Sequence, residues 1–327
     1  MDLAPSVLNL AGIAVPECMQ GHAFLGRAET EPQDYVYLFR DRMDERYDMM
    51  RAVRDKRYKY IRNLMPHLIY GQHLDYLWRM PSTRSWEKMY LEGKCTGPQK
   101  FFWETKPIEE LYDTLNDPDE VHNLVDDPAH KDILKRMRNV LEAWILKVHD
   151  LGFLHEAEML ERSRGMTPFD LARDPKKYNQ KRIMEAADIA IQRNPELLPK
   201  LIKMLDEKDT GVRYWAAVGC LALGEKAYPA VEKLRSRLDD PVPNVRIVAA
   251  EILCKFDNPE ESLRVLNEML YHPDEKVRLH AINAIDYLGE KALPILDSIK
   301  DKMNDETNYV RRVTGKILTD LMKLGNE

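Results

Sequence analysis

The chain is poor in the features that would assign it quickly. Among its 327 residues there are four cysteines, Cys18, Cys95, Cys220 and Cys254. They are far apart and show neither a Cys-x-x-Cys pair nor Cys/His ligand spacing, which argues against a structural zinc site. There is no basic excess: the formal charge is −6. A surface that neutralises phosphates carries a positive balance, so nucleic acid is not the expected partner. Long apolar runs are also missing. The longest near the start, LNLAGIAV from Leu8 to Val15, falls short of the roughly 20 residues that span a bilayer and has no basic segment before it. Neither a membrane anchor nor a secretion signal is expected from these residues.

What is present describes a folded protein. With 44% hydrophobic and 32% charged residues, the chain has apolar content for a core and a well-solvated surface. Its length suggests two domains. Met1 is followed at once by the amphipathic pattern DLAPSVLNLAGI, so the chain is expected to begin partway into a domain and to expose the apolar face of a helix from Leu3 to Ile13.

The second half repeats. Val-Arg occurs at 212–213, 245–246, 277–278 and 310–311, at spacings of 33, 32 and 33 residues, each time after an Asp-containing turn. LGEKAYPAVEKL from Leu223 returns as LGEKALPILDSI from Leu288, 65 residues on. Such a period marks a solenoid of helix pairs, each burying its apolar face against its neighbours. The Asp caps the second helix, the Val points inward, and Ala216, Ala217, Ala249, Ala250 and Ala281 permit close helix approach. The Arg after each Val is placed to meet the Asp of an adjacent turn. Cys220 and Cys254 share one phase of the repeat, as core residues would. The pattern resembles short HEAT repeats, about four of them, from roughly Glu185 to Leu324.

The first half follows α+β grammar. MMRAVR and YKYIRN flank a turn at Asp55-Lys56, and YVYLF offers a third strand. The span from Leu64 to Pro107 reads as a long irregular stretch rich in aromatic residues, of the kind that is usually functional. A helix follows from about Pro128 to Asp150, with Leu134, Met137, Leu141, Trp144, Ile145 and Val148 on one stripe.

Between them lies EELYDTLNDPDEVHNLVDDP, Glu109 to Pro128, with eight carboxylates in twenty residues. A calcium loop counted from Asp113 would need Gly at 118 and Glu at 124, where Pro and Leu stand. The stretch reads instead as strand end, turn and helix cap, with Asp127 as cap and Pro128 at the first helical position. It also resembles the motif that closes type I, formylglycine-dependent sulfatases. DLAPSVLNLAGIAVPECMQG resembles a late helix of their catalytic domain, RAVRDKRYKYIRN their first C-terminal hairpin, and the helix ending AWILKVHD their terminal one. The likeness covers about Asp2 to Glu156 and is nearest to N-sulfoglucosamine sulfohydrolase-like members.

The resemblance implies a fold class and a division: a terminal helix region of a sulfatase catalytic domain at 1–30, a sulfatase C-terminal α+β subdomain of small antiparallel sheet plus helix at 31–160, a linker at 161–184, and an all-α HEAT-like solenoid at 185–327. It implies hydrolysis of a sulfuric ester or sulfamate, with a sulfated glycan as candidate substrate. In this family the nucleophile is a formylglycine made from Cys or Ser in C/S-x-P-x-R, and calcium is held by Asp and Asn. The cysteines here read CMQGH, CTGPQ, CLALG and CKFDN, so no catalytic or metal-binding residue is assigned. Formylglycine and calcium are expected in a catalytic domain acting in cis or in trans, and this chain is expected to be inactive alone.

In the related enzymes the loop matching RDRMDERYD, Arg40 to Asp48, approaches the sugar pocket. Arg40, Arg42, Glu45 and Arg46 are therefore the candidate substrate contacts; the alternative is a charged loop paired within itself. His22, His67, His73, His122 and His149 are scattered and read as surface or core residues. A protein partner is expected on the HEAT repeats, and a periplasmic or extracellular site for a complete enzyme. The other reading is a non-catalytic HEAT scaffold that binds protein.

Overall fold

A computed structural model describes residues 2–27, 31, 33–256 and 259–324. Helix α1, Leu3–Leu10, packs on its own following segment: Ser6 Oγ accepts from Phe24 N at 3.0 Å, and the Asn9 amide donates to the Leu25 carbonyl at 2.8 Å. Four antiparallel strands follow, β1 Val36–Arg40, β2 Met50–Arg54, β3 Tyr58–Asn63 and β4 Glu109–Asp113, in the order β1-β2-β3-β4. The β2–β3 hairpin turns where the sequence places it, because Asp55 Oδ1 accepts from Arg57 N and Tyr58 N at 2.8 and 2.6 Å.

Alternation decides which face is covered. Val53 pairs with Tyr60 and Tyr60 with Leu111, and all three are buried against Leu134, Met137, Leu141 and Ile145 of α4, Lys131–Val148. Tyr37 lies flat on Trp144 of the same helix at 4.5 Å. Ala52, Ile61 and Tyr112 form a smaller cluster of their own.

The acidic stretch after β4 is held together by cations and amides. Asp113 meets Arg57 at 2.6 Å, Glu109 bonds Tyr60 and Arg138, and Asp127 caps the turn before α4 by accepting from Ala129 N at 2.9 Å. Glu110, buried, accepts from Asn63, Tyr70 and Tyr112 at 2.6 Å each. The span 64–107 departs from the irregular coil expected of it. It forms α2, Asp75–Trp78, α3, Pro81–Leu91, and a 3-10 turn, Gly97–Trp103. The periodicity was hidden because α3 buries only Thr83.

The span read as linker carries the end of α5, Glu156–Arg162, then α6, Pro168–Arg173, and the start of α7, Gln180–Ala190. The repeats pair α8, Leu198–Met204, with α9, Thr210–Leu223; α10, Val231–Arg235, with α11, Pro243–Lys255; α12, Pro259–Met269, with α13, Glu275–Asp286; and α14, Leu296–Asp301, with α15, Asn308–Leu324. Helices α7, α9, α11, α13 and α15 stack in one row. Val212, Val245, Val277 and Val310 are all buried, as are the paired alanines. The arginine ladder forms on alternate rungs: Arg213 meets Asp240 and Arg278 meets Asp305, each at 2.8 Å. Arg246 turns to Glu268, and Arg311 to the carbonyls of Asp305 and Glu306. The two halves share a continuous core, and Trp215 of α9 donates to the Phe153 carbonyl at 2.8 Å across the join.

Candidate functional site

The loop between β1 and β2 carries the four candidate contacts, and the structure sends them to different partners. Arg40 stays with the sheet, its guanidinium 3.7 Å from Asp48. Asp48 is itself fully buried, with both oxygens 2.8 Å from the ammonium of an equally buried Lys106. Desolvation pulls the Lys106 pKa down against the opposing pull of Asp48. Arg42 bonds Glu156 at 2.7 Å and the Asp44 carbonyl at 2.7 Å, with its guanidinium over the Tyr309 ring of α15.

Glu45 and Arg46 are buried between the two halves. Glu45 accepts from Asp75 N at 2.6 Å and from Arg312 at 3.3 Å, while its carbonyl receives the Asn283 amide at 2.8 Å. Arg46 donates to the His73 carbonyl at 2.8 Å, Asn283 Oδ1 at 2.6 Å and Asp286 at 2.7 Å. Burial opposes its charge, yet Tyr287, Asp286 and Glu45 outweigh that and raise its pKa. Arg40 and Arg42 thus keep partners within the loop, while Glu45 and Arg46 bond both residues 73–75 and the repeat helices α13 and α15, a partnership that local sequence does not display.

Arg46 also lines a cleft of about 920 Å³. One wall comes from residues 67–103, including Trp78 and Trp103; the other comes from α13 and α15, with Tyr287, Arg311, Arg312 and Lys316. Trp103 stands edge-on to Trp78 with ring centres 5.9 Å apart, and Trp78 Nε1 donates to Glu87 at 2.9 Å. Lys316 sits between Asp286 at 2.8 Å and Asp320 at 2.9 Å. His67 and His73 face the same space, and burial, with Lys106 and Arg46 respectively as the next cause, lowers their pKa values to about 3 and about 4. Both are neutral imidazoles at neutral pH.

Of the candidate four, only Arg46 reaches this cleft. The aromatic signal in residues 64–107 pointed to one wall. Nothing in the repeat period pointed to the other, because Asp286, Arg312 and Lys316 occupy ordinary surface positions of their helices. Cys220 and Cys254 are buried among the repeat helices, and desolvation pushes both thiols up to about 12.

Comparison with known proteins agrees with both halves of this architecture. Residues 231–318 match the family described as HEAT repeats. An ulvan-active sulfatase of Formosa agariphila is 36% identical over 178 residues, 54% of this chain and 30% of that protein. A second ulvan-active sulfatase of the same organism is 31% identical over 156 residues, 46% of this chain and 29% of its own length. A delta 4,5-hexuronate-2-O-sulfatase of Bacteroides thetaiotaomicron is 28% identical over 174 residues, 51% of this chain and 28% of that protein. About half of the chain is therefore homologous to sulfatases, and HEAT repeats are present beside it. The chain spans less than a third of the length of these relatives.

Proposed function

We propose that this chain is the C-terminal portion of a sulfatase, a sulfuric ester or sulfamate hydrolase acting on a sulfated glycan, in which a HEAT solenoid braces the substrate-facing loop of the α+β subdomain. The observation that carries this reading is an uncovered apolar stripe on the sulfatase-like half. Leu3, Val7 and Leu10 lie on one side of α1 and are 73%, 61% and 62% exposed. An apolar helix face of this kind calls for cover, and the rest of a sulfatase domain, which the matched relatives have, would supply it. Edge strand β1 also exposes Val36 and Phe39.

On this reading, formylglycine and calcium belong to that catalytic domain, joined in cis or bound in trans. The solenoid's first partner is the loop of its own chain, through Arg46–Asp286 and Glu45–Arg312. The narrower likeness to N-sulfoglucosamine sulfohydrolase rests on the set of motifs from about Asp2 to Glu156 and keeps a sulfamate among the substrates. The assay is direct: the purified chain is offered 4-nitrophenyl sulfate, and no turnover is expected. Sustained release of nitrophenol by the chain alone would overturn the assignment of catalysis to a separate domain.

One observation favours the scaffold reading as an alternative. Tyr228 and Leu293 occupy equivalent positions of the 65-residue repeat and are both exposed, giving the solenoid a repeated apolar row suited to a protein partner. Sedimentation separates the two. Self-association relieved by Val7→Glu supports the sulfatase reading, whereas a stable monomer unaffected by that change supports the scaffold.

A further inference from the structure

The cleft between residues 67–103 and the α13–α15 end of the solenoid has a lining that specifies a chemistry. Five permanent cations, Arg46, Arg79, Arg311, Arg312 and Lys316, face four carboxylates, Asp75, Glu87, Asp286 and Asp320. The balance is slightly positive in a chain whose overall charge is −6. Cations there require acceptors and carboxylates require donors. A polyphosphate would satisfy the first and be repelled by the second; a neutral apolar ligand would satisfy neither. A molecule dense in hydroxyl groups that also carries acidic substituents satisfies both.

Ion pairs hold these groups in place: Lys316 sits between Asp286 and Asp320, and Arg312 is 3.3 Å from Glu45 and 3.8 Å from Asp75, with the Asn308 amide oxygen also accepting from it, which orients its fork of donors. The opposite wall is aromatic and rigid, with Trp86 and Phe102 packed behind Trp103. Rings of this kind offer flat apolar surface at low entropic cost, which suits the C–H face of a pyranose. Trp103 is 7% exposed, and its Nε1, like His67 Nδ1, is buried with no hydrogen-bond partner among the described residues, so Trp103 backs the wall and Trp78 presents its surface.

We propose that this cleft binds an anionic saccharide, with Trp78, backed by the buried Trp103, against the sugar ring and Arg311, Arg312 and Lys316 toward its sulfate or carboxylate groups. Half of the binding surface is therefore contributed by the HEAT solenoid. The choice of a sulfated uronate probe rests on the sulfatase reading; the assignment of a saccharide rests on the lining.

The test uses intrinsic tryptophan fluorescence, with a heparin-derived tetrasaccharide titrated into the full chain. Saturable quenching is expected, weakened roughly tenfold or more by Trp78→Ala and by Arg312→Ala, since each removes a direct contact. Arg235→Ala, remote from the cleft, should bind as the parent does. Thermal melts of each variant identify any that has lost its fold; Arg311→Ala, whose side chain bonds only backbone carbonyls of its own turn, is the replacement if Arg312→Ala does not fold. Absence of saturation, equal binding by all folded variants, or equal competition by inorganic sulfate or an oligoglutamate peptide would overturn the assignment. The outcomes stay separable: a stable monomer unaffected by Val7→Glu sinks the sulfatase reading and leaves tetrasaccharide binding intact, while a chain that self-associates through α1 and binds no tetrasaccharide sinks the cleft alone.

Discussion

The Arg46 guanidinium lies 2.7 Å from the Asp286 carboxylate, 240 residues away along the chain, and both side chains are almost wholly withdrawn from solvent. One residue belongs to the sulfatase-like half and the other to the HEAT repeats, so this pair reports on whether the two halves act as one body. Removing one member of a buried pair leaves an uncompensated charge. Arg46→Ala or Asp286→Ala is expected to lower unfolding free energy by roughly 3–5 kcal/mol. The double substitution should cost less than the sum, because neither charge is then stranded. Chemical denaturation of the four-member cycle measures this, and strict additivity would mean the halves are not coupled through this contact.

Acid should loosen the same junction through histidine. His155, from the sulfatase-like half, stacks on His280 of α13 with ring centres 4.5 Å apart. Burial, and then the nearby Arg42, lowers His155 from 6.5 to about 3; burial, and then His155, lowers His280 well below its ordinary value. Tyr47 and Tyr214 pack on His155, Asn244 bonds His280 at 2.8 Å, and the charged neighbours Arg42, Glu45, Glu156 and Lys276 line the same small pocket, with Arg42 already paired to Glu156. With folded pKa values below the unfolded one, the unfolded chain binds more protons in the window between them. The stabilisation is present above pH 6.5 and is lost as pH falls toward about 3. Each histidine contributes a slope of up to about 1.4 kcal/mol per pH unit. Urea unfolding at stepped pH should show stability falling below 6.5, and His280→Gln should make the fall shallower.

The repeated LGEKA segments make a prediction that tests the solenoid alone. Gly224 and Gly289 begin equivalent turns at φ of 57° and 56°, and an added Cβ at either would meet nothing within 4 Å. The cost of alanine there is therefore backbone strain rather than collision, about 1–3 kcal/mol at each site. Thermal melts of Gly224→Ala and Gly289→Ala should show similar losses; a much larger loss at one site would mean that its turn carries packing the other lacks.

The sequence displayed what is local and concealed what is remote. The β2–β3 hairpin was legible because Asp55 makes its own turn, and the α4 stripe because Leu134, Met137, Leu141 and Ile145 face one sheet. The solenoid showed in four Val-Arg pairs, yet only Arg213 and Arg278 reach the next turn's aspartate. At Arg246 the competing acid is Glu268, presented by the following helix, α12, and periodicity alone does not choose between them. Helix α3 escaped notice because it serves a cleft wall and not a core. The loop from Arg40 to Asp48 stands out because the matching loop of the related enzymes approaches the sugar pocket. What its charges meet was not legible, since Asn283, Asp286 and Arg312 are ordinary residues of a repeat until the solenoid curls back.

Glu45 separates bracing from direct substrate contact. Its carboxylate is buried under Arg312 and accepts the Asp75 amide that opens α2 at 2.6 Å, so it joins the loop, the aromatic wall and α15 at one point. Glu45→Gln keeps an acceptor for the Asp75 amide and loses the charge opposite Arg312; Glu45→Ala loses both. If the residue is a brace, Glu45→Ala should lower stability by roughly 1–3 kcal/mol or more, Glu45→Gln by less, and tetrasaccharide affinity should fall in the same order as the wall shifts. In an enzyme carrying its catalytic domain, KM should rise in that order with kcat little changed. A residue that instead touched substrate would show the loss of affinity without the loss of stability. Melting curves and tetrasaccharide titrations on the two variants decide between these patterns.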